Sequence, residues 1–456
     1  MGAFFKFSER GTGFRTEVVA GLTTFMTMAY IAFVNPSILA TKGTGLSVPG
    51  VFFATCVAAA VASIAMGLVA NFPLALASGL GLNAIVAFTL ILELGLSWQQ
   101  AMAVVVVEGV LITVLVLTNL REAVLNAIPP SLKVAIAVGI GLFIAFIGLK
   151  NAGLVVPNAE TYVTLGDLTQ GPVLLAAFGL IVTLALVARG FRGGIIIGIF
   201  VTGIIGMIFG VVPVPRGIVD FSFDTSTVGG GVLAVPEVLR LSLLPVIFAL
   251  FMTDFFDTMG SMFAVAQEGK MLDKEGRVPR AKRILLVDSL AAVFGGAMGA
   301  SSVTSYVESG SGVAEGGRTG LTSVVVGVLF LLALPFSPII SVFGGSLPIP
   351  NPAGGGDPLF VSPVTAPALV VVGFLMMTSV RLIPWESFDE AIPAFLTILM
   401  LPLTFNISYG IGFGFISYVL IKLSRGKARE VHPLLYVTAV LFAFAFVWPA
   451  LQRLLS

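Results

Sequence analysis

The chain is short of nearly everything a soluble enzyme relies on. It has one cysteine, Cys56, and one histidine, His432, in 456 residues. A lone cysteine excludes a disulfide framework and a thiolate metal cluster, and a lone histidine argues against a zinc or haem centre. Cys56 lies inside an apolar run and reads as a small apolar filler, while His432 stands in a basic loop between two such runs. Charge is equally scarce. Lys, Arg, Asp and Glu make up 10% of the residues, against about 25% in a soluble domain. A net charge of +1 gives no electrostatic basis for a nucleic-acid partner. No cofactor and no metal are expected, and no loop is long enough to hold a soluble catalytic domain.

What the chain has in abundance is apolar sequence, 57% of it. A soluble fold of this size cannot hide that much; a bilayer can, and each crossing helix needs about 20 such residues. Hydrophobic runs fall at 17–40, 50–70, 73–94, 99–118, 132–149, 171–189, 193–213, 242–266, 283–299, 301–313, 318–339, 362–381, 389–405 and 408–424. That makes fourteen, numbered here as spans 1 to 14. A further run at 434–452 either crosses once more or lies in the interface. The first run is too long for a signal peptide, contains Asn35-Pro36 and lacks a small-residue cleavage site, so it reads as the first membrane helix.

Lys and Arg placement orients the chain. With the N-terminus in the cytoplasm, nineteen fall inside, Arg121 among them, and four fall outside: Lys42, Lys150, Arg216 and Arg240. The expectation is a multi-pass protein of the cell (plasma or inner) membrane, embedded in lipid, with a cytoplasmic N-terminus.

An internal repeat follows from two matches. Ser78-Gly79-Leu80-Gly81 recurs as Ser309-Gly310-Ser311-Gly312, 231 positions on, and Phe25-Met26-Thr27 recurs as Phe251-Met252-Thr253, 226 positions on. Both offsets are close to half the chain. Seven runs per half is an odd number, so the second half inserts upside down. This is the inverted-repeat plan of secondary transporters.

The candidate chemistry sits in the third and tenth runs and their neighbours. Each of these two runs begins extended and meets the Ser-Gly-x-Gly stretch, so each is expected to break into a short extended piece and a half-helix. Ala77 in the extended part of span 3, Asn83 just after its break, and Ser309 and Gly310 at the break of span 10 are candidate substrate-binding residues, and exposed N–H groups at the half-helix starts are expected to hold polar substrate atoms. Ionisable groups inside spans cost about 2.5–3.5 kcal/mol each on the insertion scale and so demand a reason. Here they are Glu108, Asp254, Asp257, Asp288 and Glu308, with no basic residue deep in any span. A carboxyl buried without a cation favours its neutral form and can exchange a proton. Asp257 and Glu308 are the leading candidates for both substrate binding and proton coupling. Asp254 binds substrate or orients Asp257, Asp288 serves proton coupling or a structural hydrogen bond, and Glu108 reads as structural. Phe255, Phe256 and Tyr306 are placed to stack on a flat ring, or merely to pack. A cavity lined by carboxylates suits a cation or a neutral molecule rich in N–H groups, coupled to H⁺ or Na⁺.

These stretches resemble nucleobase–cation symport family 2, the nucleobase–ascorbate transporters, and within it the AzgA-like branch for hypoxanthine, guanine and adenine. The resemblance rests on Leu22 to Tyr30 running on to Val34-Asn35-Pro36, on Gly79-Leu80-Gly81-Leu82-Asn83-Ala84, on Asp254-Phe255-Phe256-Asp257-Thr258-Met259-Gly260, and above all on Thr304 through Gly320. It implies an all-α polytopic fold of about fourteen spans, with short antiparallel strands in spans 3 and 10. It also implies a core domain over 1–118 and 242–339 (spans 1–4 and 8–11) and a gate domain over 119–241 and 340–456 (spans 5–7 and 12–14 plus the extra segment). It implies a purine base held by acidic residues at the positions of Asp257 and Glu308, proton coupling, and a homodimer. The family's eighth span carries a glutamate where this chain has an aspartate pair, which leaves open whether Asp254 or Asp257 touches the base. The alternatives are a uracil- or xanthine-specific permease, or an anion carrier of the sulfate or bicarbonate type on the same architecture. A membrane-embedded enzyme lacks a visible nucleophile–base pair or metal cluster, and a channel would conduct without saturation.

Overall fold

The computed structural model describes residues 2–118, 128–240, 243–274, 277–351 and 358–455. Arg121 and the junctions expected at 118/119 and 241/242 lie in or beside segments outside the described residues, as do the side chains of Phe256, Ala445 and residues 448–455.

Every apolar run coincides with an element. Among the described residues, eight helices are long and apolar enough to cross a bilayer: Phe14–Leu39, Val48–Ala70, Trp98–Thr118, Pro130–Asn151, Gly171–Ala188, Leu244–Glu268, Gly320–Phe343 and Ile407–Ser424. They correspond to spans 1, 2, 4, 5, 6, 8, 11 and 14. Spans 7, 9, 12 and 13 are the helices Gly194–Ile208, Ala281–Met298, Ala366–Met377 and Phe388–Leu403. Spans 3 and 10 are strand–helix units, as their glycine and serine content predicts: Leu76–Ser78 then Leu80–Ala84, and Val303–Ser305 then Ser309–Ala314. The run at 434–452 forms the helix Pro433–Leu455, which lies against span 14 with Phe442 and Phe415 edge to face at 5.9 Å.

Helix starts carry legible caps. Ser47 Oγ accepts the Gly50 N–H at 3.1 Å at the head of span 2, and Asn406 Oδ1 accepts the Tyr409 N–H at 3.2 Å at the head of span 14. Span 1 is interrupted between Met28 and Ile31. Beyond that break Asn35 Nδ2 donates to Thr55 Oγ1 at 2.8 Å and to the Ala300 carbonyl at 3.2 Å, tying span 1 to span 2 and to the approach of span 10.

The packing obeys the repeat. Span 2 lies on span 11 and span 9 on span 4; span 12 lies on span 5; span 6 lies on span 7 and span 13 on span 14. Exchanging each span for the one seven places away maps this set onto itself. At several of these crossings glycines let backbones touch, Gly109 and Gly296 between spans 4 and 9 among them. Gly67 meets Gly320 between spans 2 and 11, and Gly141 meets Gly373 between spans 5 and 12. Lipid offers no hydrophobic drive for helix association, so small residues at crossings supply the close contact instead.

Candidate substrate site at the broken spans

The two strands meet in the middle of the fold. Leu76–Ser78 pairs antiparallel with Val303–Ser305, Leu76 opposite Ser305, Ala77 opposite Thr304 and Ser78 opposite Val303. The Gly79 N–H donates to the Ser302 carbonyl and the Tyr306 N–H to the Ala75 carbonyl, each at 2.9 Å, extending the ladder at both ends. Extended backbone at membrane depth must find partners within the protein, so each broken span needs the other.

Several expected site residues are occupied in this ladder. Ala77 is buried inside it. Ser309 Oγ accepts the Ala75 N–H at 2.9 Å, and the Tyr306 hydroxyl donates to the Ser78 carbonyl at 2.6 Å. Phe255 is buried and stacks on Phe251 at 5.8 Å. Asn83 is fully buried with both amide atoms unpartnered. The N–H groups of Ser309, Gly310 and Ser311 are not the open donors expected at the start of the half-helix. They donate to the carbonyls of Tyr306, Val307 and Glu308 at 3.1, 2.9 and 3.0 Å, because the tight turn at Val307-Glu308 brings those carbonyls within reach.

Asp257 and Glu308 stand differently. Asp257, midway along span 8, is exposed, and Glu308 is part-exposed at the edge of its turn. Around them Val307 is 54% exposed, and Gly260 and Gly310 have open space where a Cβ would stand. The two carboxyls are near enough for their charges to interact. Tyr30 from span 1 donates to Glu308 Oε1 at 2.6 Å, and Thr27 Oγ1 bonds Ser311 Oγ at 2.9 Å. Among the described residues no Lys, Arg or His pairs with either carboxyl. The site therefore offers acceptor oxygens facing open space, with no resident cation.

Asp254 and Asp288 face the protein instead. Asp254 is fully buried; its Oδ2 accepts from Ser302 Oγ at 3.0 Å and its Oδ1 has no partner. Asp288 accepts from Thr258 Oγ1 and Ser305 Oγ, both at 2.6 Å, and Thr258 also bonds Thr304 at 2.8 Å. Asp288 thus braces span 8 and the span 10 strand. The structure adds Tyr30, Thr27 and Ser302, which stand outside the candidate residues of the sequence. Tyr30 carried a signal: a hydroxyl mid-span is costly unless it is bonded. Elsewhere a cavity of about 510 Å³ lies by the ends of spans 1, 3 and 5, lined in part by Lys42, Phe88, Phe146, Lys150 and Phe405, with the Lys150 ammonium 4.9 Å from the Phe405 ring; neither Asp257 nor Glu308 lines it.

Known proteins place this arrangement. The solved transmembrane domain of the cyanobacterial bicarbonate transporter BicA superposes with a TM-score of 0.60 at 15% identity, over 86% of this chain and 96% of that one. Murine Slc26a9, an anion transporter in its inward-facing state, gives 0.61 at 10% identity, over 90% of this chain and 69% of that one. These likenesses establish the inverted-repeat membrane fold. Sequence relatives are far nearer. The guanine/hypoxanthine permease PbuG of Bacillus subtilis is 44% identical over 98% of this chain and 100% of its own length. The adenine permease AdeP of Escherichia coli is 41% identical over 97% of this chain and 95% of its own. The Permease family pattern Xan_ur_permease matches residues 15–413, and the chain belongs to this permease family, the nucleobase–ascorbate transporters.

Proposed function

We propose that this protein imports purine nucleobases (guanine, hypoxanthine, adenine or xanthine) through the cell membrane by proton symport. The observation that carries the reading is the pair of carboxyls at Asp257 and Glu308, open on one side and, among the described residues, free of any cation. A purine presents ring N–H groups along a flat edge, and a carboxylate accepts them. A hydrogen bond to a charged group is worth about 1.5–3 kcal/mol, and an analogue lacking the donor leaves the carboxylate unpaired. Between the two aspartates of span 8, exposure favours Asp257 as the base acceptor. Bare backbone at Gly310 lets a ring approach closely, while Ala77, Tyr306 and Ser309 shape the floor. In this reading the coupled proton is exchanged among the acids gathered around the strand pair, which meet no cation among the described residues. The same carboxylates repel an anion, which argues against the cargo named for the two solved neighbours.

The packing supports an elevator-like motion. Spans 1–4 and 8–11 form one body around the strand pair, spans 5–7 and 12–14 the other, and the first moves against the second. The N-terminus lies in the cytoplasm by the Lys/Arg asymmetry, and the working unit is a homodimer in lipid. The test is uptake of radiolabelled hypoxanthine, with unlabelled bases as competitors and with or without a protonophore. Asp257→Asn and Glu308→Gln are each expected to abolish or strongly alter uptake at unchanged expression. Normal uptake by both variants would remove the site assignment, and accumulation insensitive to the protonophore would remove proton coupling.

A further inference from the structure

Outside the substrate site, one buried acidic contact is only partly satisfied among the described residues. Glu108 comes from the middle of span 4 and is fully buried, and both of its carboxyl oxygens lack a hydrogen-bond partner. It faces Asp254 of span 8, close enough for the two carboxyls to share a hydrogen bond. Asp254 is also fully buried and keeps one oxygen, Oδ1, unpartnered. Ser302 approaches both groups, but its single hydroxyl proton goes to Asp254 Oδ2 at 3.0 Å. As two anions, Glu108 and Asp254 present only acceptors to each other. Two buried like charges without a counter-ion are strongly disfavoured.

The surroundings supply no cation. Span 9, packed along span 4, brings Asp288, whose charge also reaches Glu108. Span 8 brings Asp254 and, one turn further on, Asp257. The short segment Val235–Val238 that lies on span 4 carries Glu237, which bonds Gln100 at 2.8 Å. Glu93, at the far end of span 3, accepts from Asn406 at 2.6 Å. Among the described residues, no Lys, Arg or His reaches the pair.

We infer that Glu108 and Asp254 together bind one proton, held in an O–H···O bond between them, and that this is the proton carried with the substrate. The inference rests on the symport reading above but assigns its proton to residues that do not touch the base. The pair belongs to the same body as the strand pair and travels with it. Its link to the base runs through Asp257, three residues from Asp254 on one helix. When the pair holds its proton, one negative charge is removed from the neighbourhood of Asp257, and an ionised Asp257 meets less repulsion. An ionised Asp257 accepts the N–H of the base. Proton and base therefore each strengthen the binding of the other by the same factor, as linkage requires, so the two load together.

Glu108→Gln tests this, because the amide donates an N–H to the Asp254 carboxylate and fixes the charge of the protonated pair. In purified wild-type protein, base affinity is expected to change by about tenfold between acid and alkaline pH, within the usual range of such couplings. In Glu108→Gln, and equally in Asp254→Asn, that pH dependence is expected to vanish while base still binds. The infrared band of a protonated carboxylic acid in the wild-type protein is expected to weaken in Glu108→Gln. Wild-type protein in weakly buffered solution is expected to take up protons when hypoxanthine is added. The proposal is overturned if either variant keeps the wild-type pH dependence, if base binding by wild-type protein takes up no proton, or if binding at constant pH requires sodium. Failure of wild-type protein to bind or accumulate any purine would instead remove the functional reading, while leaving the infrared comparison to decide the protonated pair.

Discussion

Two groups of acidic residues in this molecule are treated in opposite ways. Asp389 opens span 13, and its side chain is 2% exposed. Lys422 bonds it at 3.0 Å, Arg425 at 3.0 Å and Lys427 at 2.8 Å. Lys422 also reaches Glu390 at 2.9 Å and Glu430 at 2.8 Å, and Ser131 from the start of span 5 bonds Glu390. Three acids and three bases close on one another there. Around the strand pair, Glu108, Asp254, Asp257, Asp288 and Glu308 meet, among the described residues, only hydroxyls, one another or open space. A paired cluster holds helices together and leaves no valence for a ligand. An unpaired one is a standing cost that a ligand or a proton relieves. The lesson is that acid content does not mark a site; the missing cation does.

The comparison is broken or sharpened by making the same change on both sides. Asp389→Asn leaves the buried Lys422 with only Glu390 and Glu430 and removes the carboxylate shared with the half-exposed Arg425 and Lys427, and is expected to cost about 2 kcal/mol, seen as a drop in melting temperature of the purified protein. Asp257→Asn removes an uncompensated charge and is expected to leave that temperature unchanged or raise it while uptake is lost. Equal destabilisation by the two would erase the distinction. Next in size is Tyr30→Phe, which deletes the hydroxyl on Glu308 and is expected to weaken base binding about tenfold, as loss of one charge-assisted bond would, read by competition against labelled hypoxanthine. A third contrast uses neighbouring glycines. A methyl at Gly310 points into open space, so Gly310→Ala is expected to fold and to impair only uptake. A methyl at Gly312 runs into the Thr24 hydroxyl and the Ala20 carbonyl, so Gly312→Ala is expected to lose folded protein on size exclusion. The smallest effect belongs to Asp224, in the loop after span 7. The hydroxyls of Ser226 and Ser47 hold its carboxyl below the usual range. The stability it adds is present above the unfolded value and lost as pH falls through the lowered one. Asp224→Asn is expected to flatten that acid limb of melting temperature against pH, by at most about 0.5 kcal/mol.

Much of this is legible in the sequence alone. Apolar runs of about 20 residues have few fates, so the positions of the elements followed directly. Glycine and serine in place of helix formers mark the breaks in spans 3 and 10, the matched offsets mark the two repeats, and the short antiparallel strands follow from the family resemblance. The individual roles of the acids were not readable. Asp254 and Asp257 stand three residues apart in near-identical local sequence, yet one is buried against Ser302 and the other is exposed. Ser309, Tyr306 and Ala77 looked like ligand contacts because they flank the break; they bond or lie within the ladder. The N–H groups of Ser309 to Ser311 looked free because a half-helix start usually is, and the turn before it closed them. Glu108 looked structural because it stood alone in span 4, with nothing in the sequence to say that Asp254 would face it.

By itself the sequence determined that the chain lives in lipid, that it is built twice, and which residue types stand at membrane depth. Those properties depend on composition and on periodicity along the chain, which need no third dimension. Only the tertiary structure decided which carboxyls meet open space, which meet hydroxyls, which meet lysines and which meet each other. Such partners lie up to hundreds of residues apart, as Tyr30 does from Glu308. Whether a charge is a clamp, a binding group or a proton holder depends on what stands within about 3 Å of it once the helices have packed.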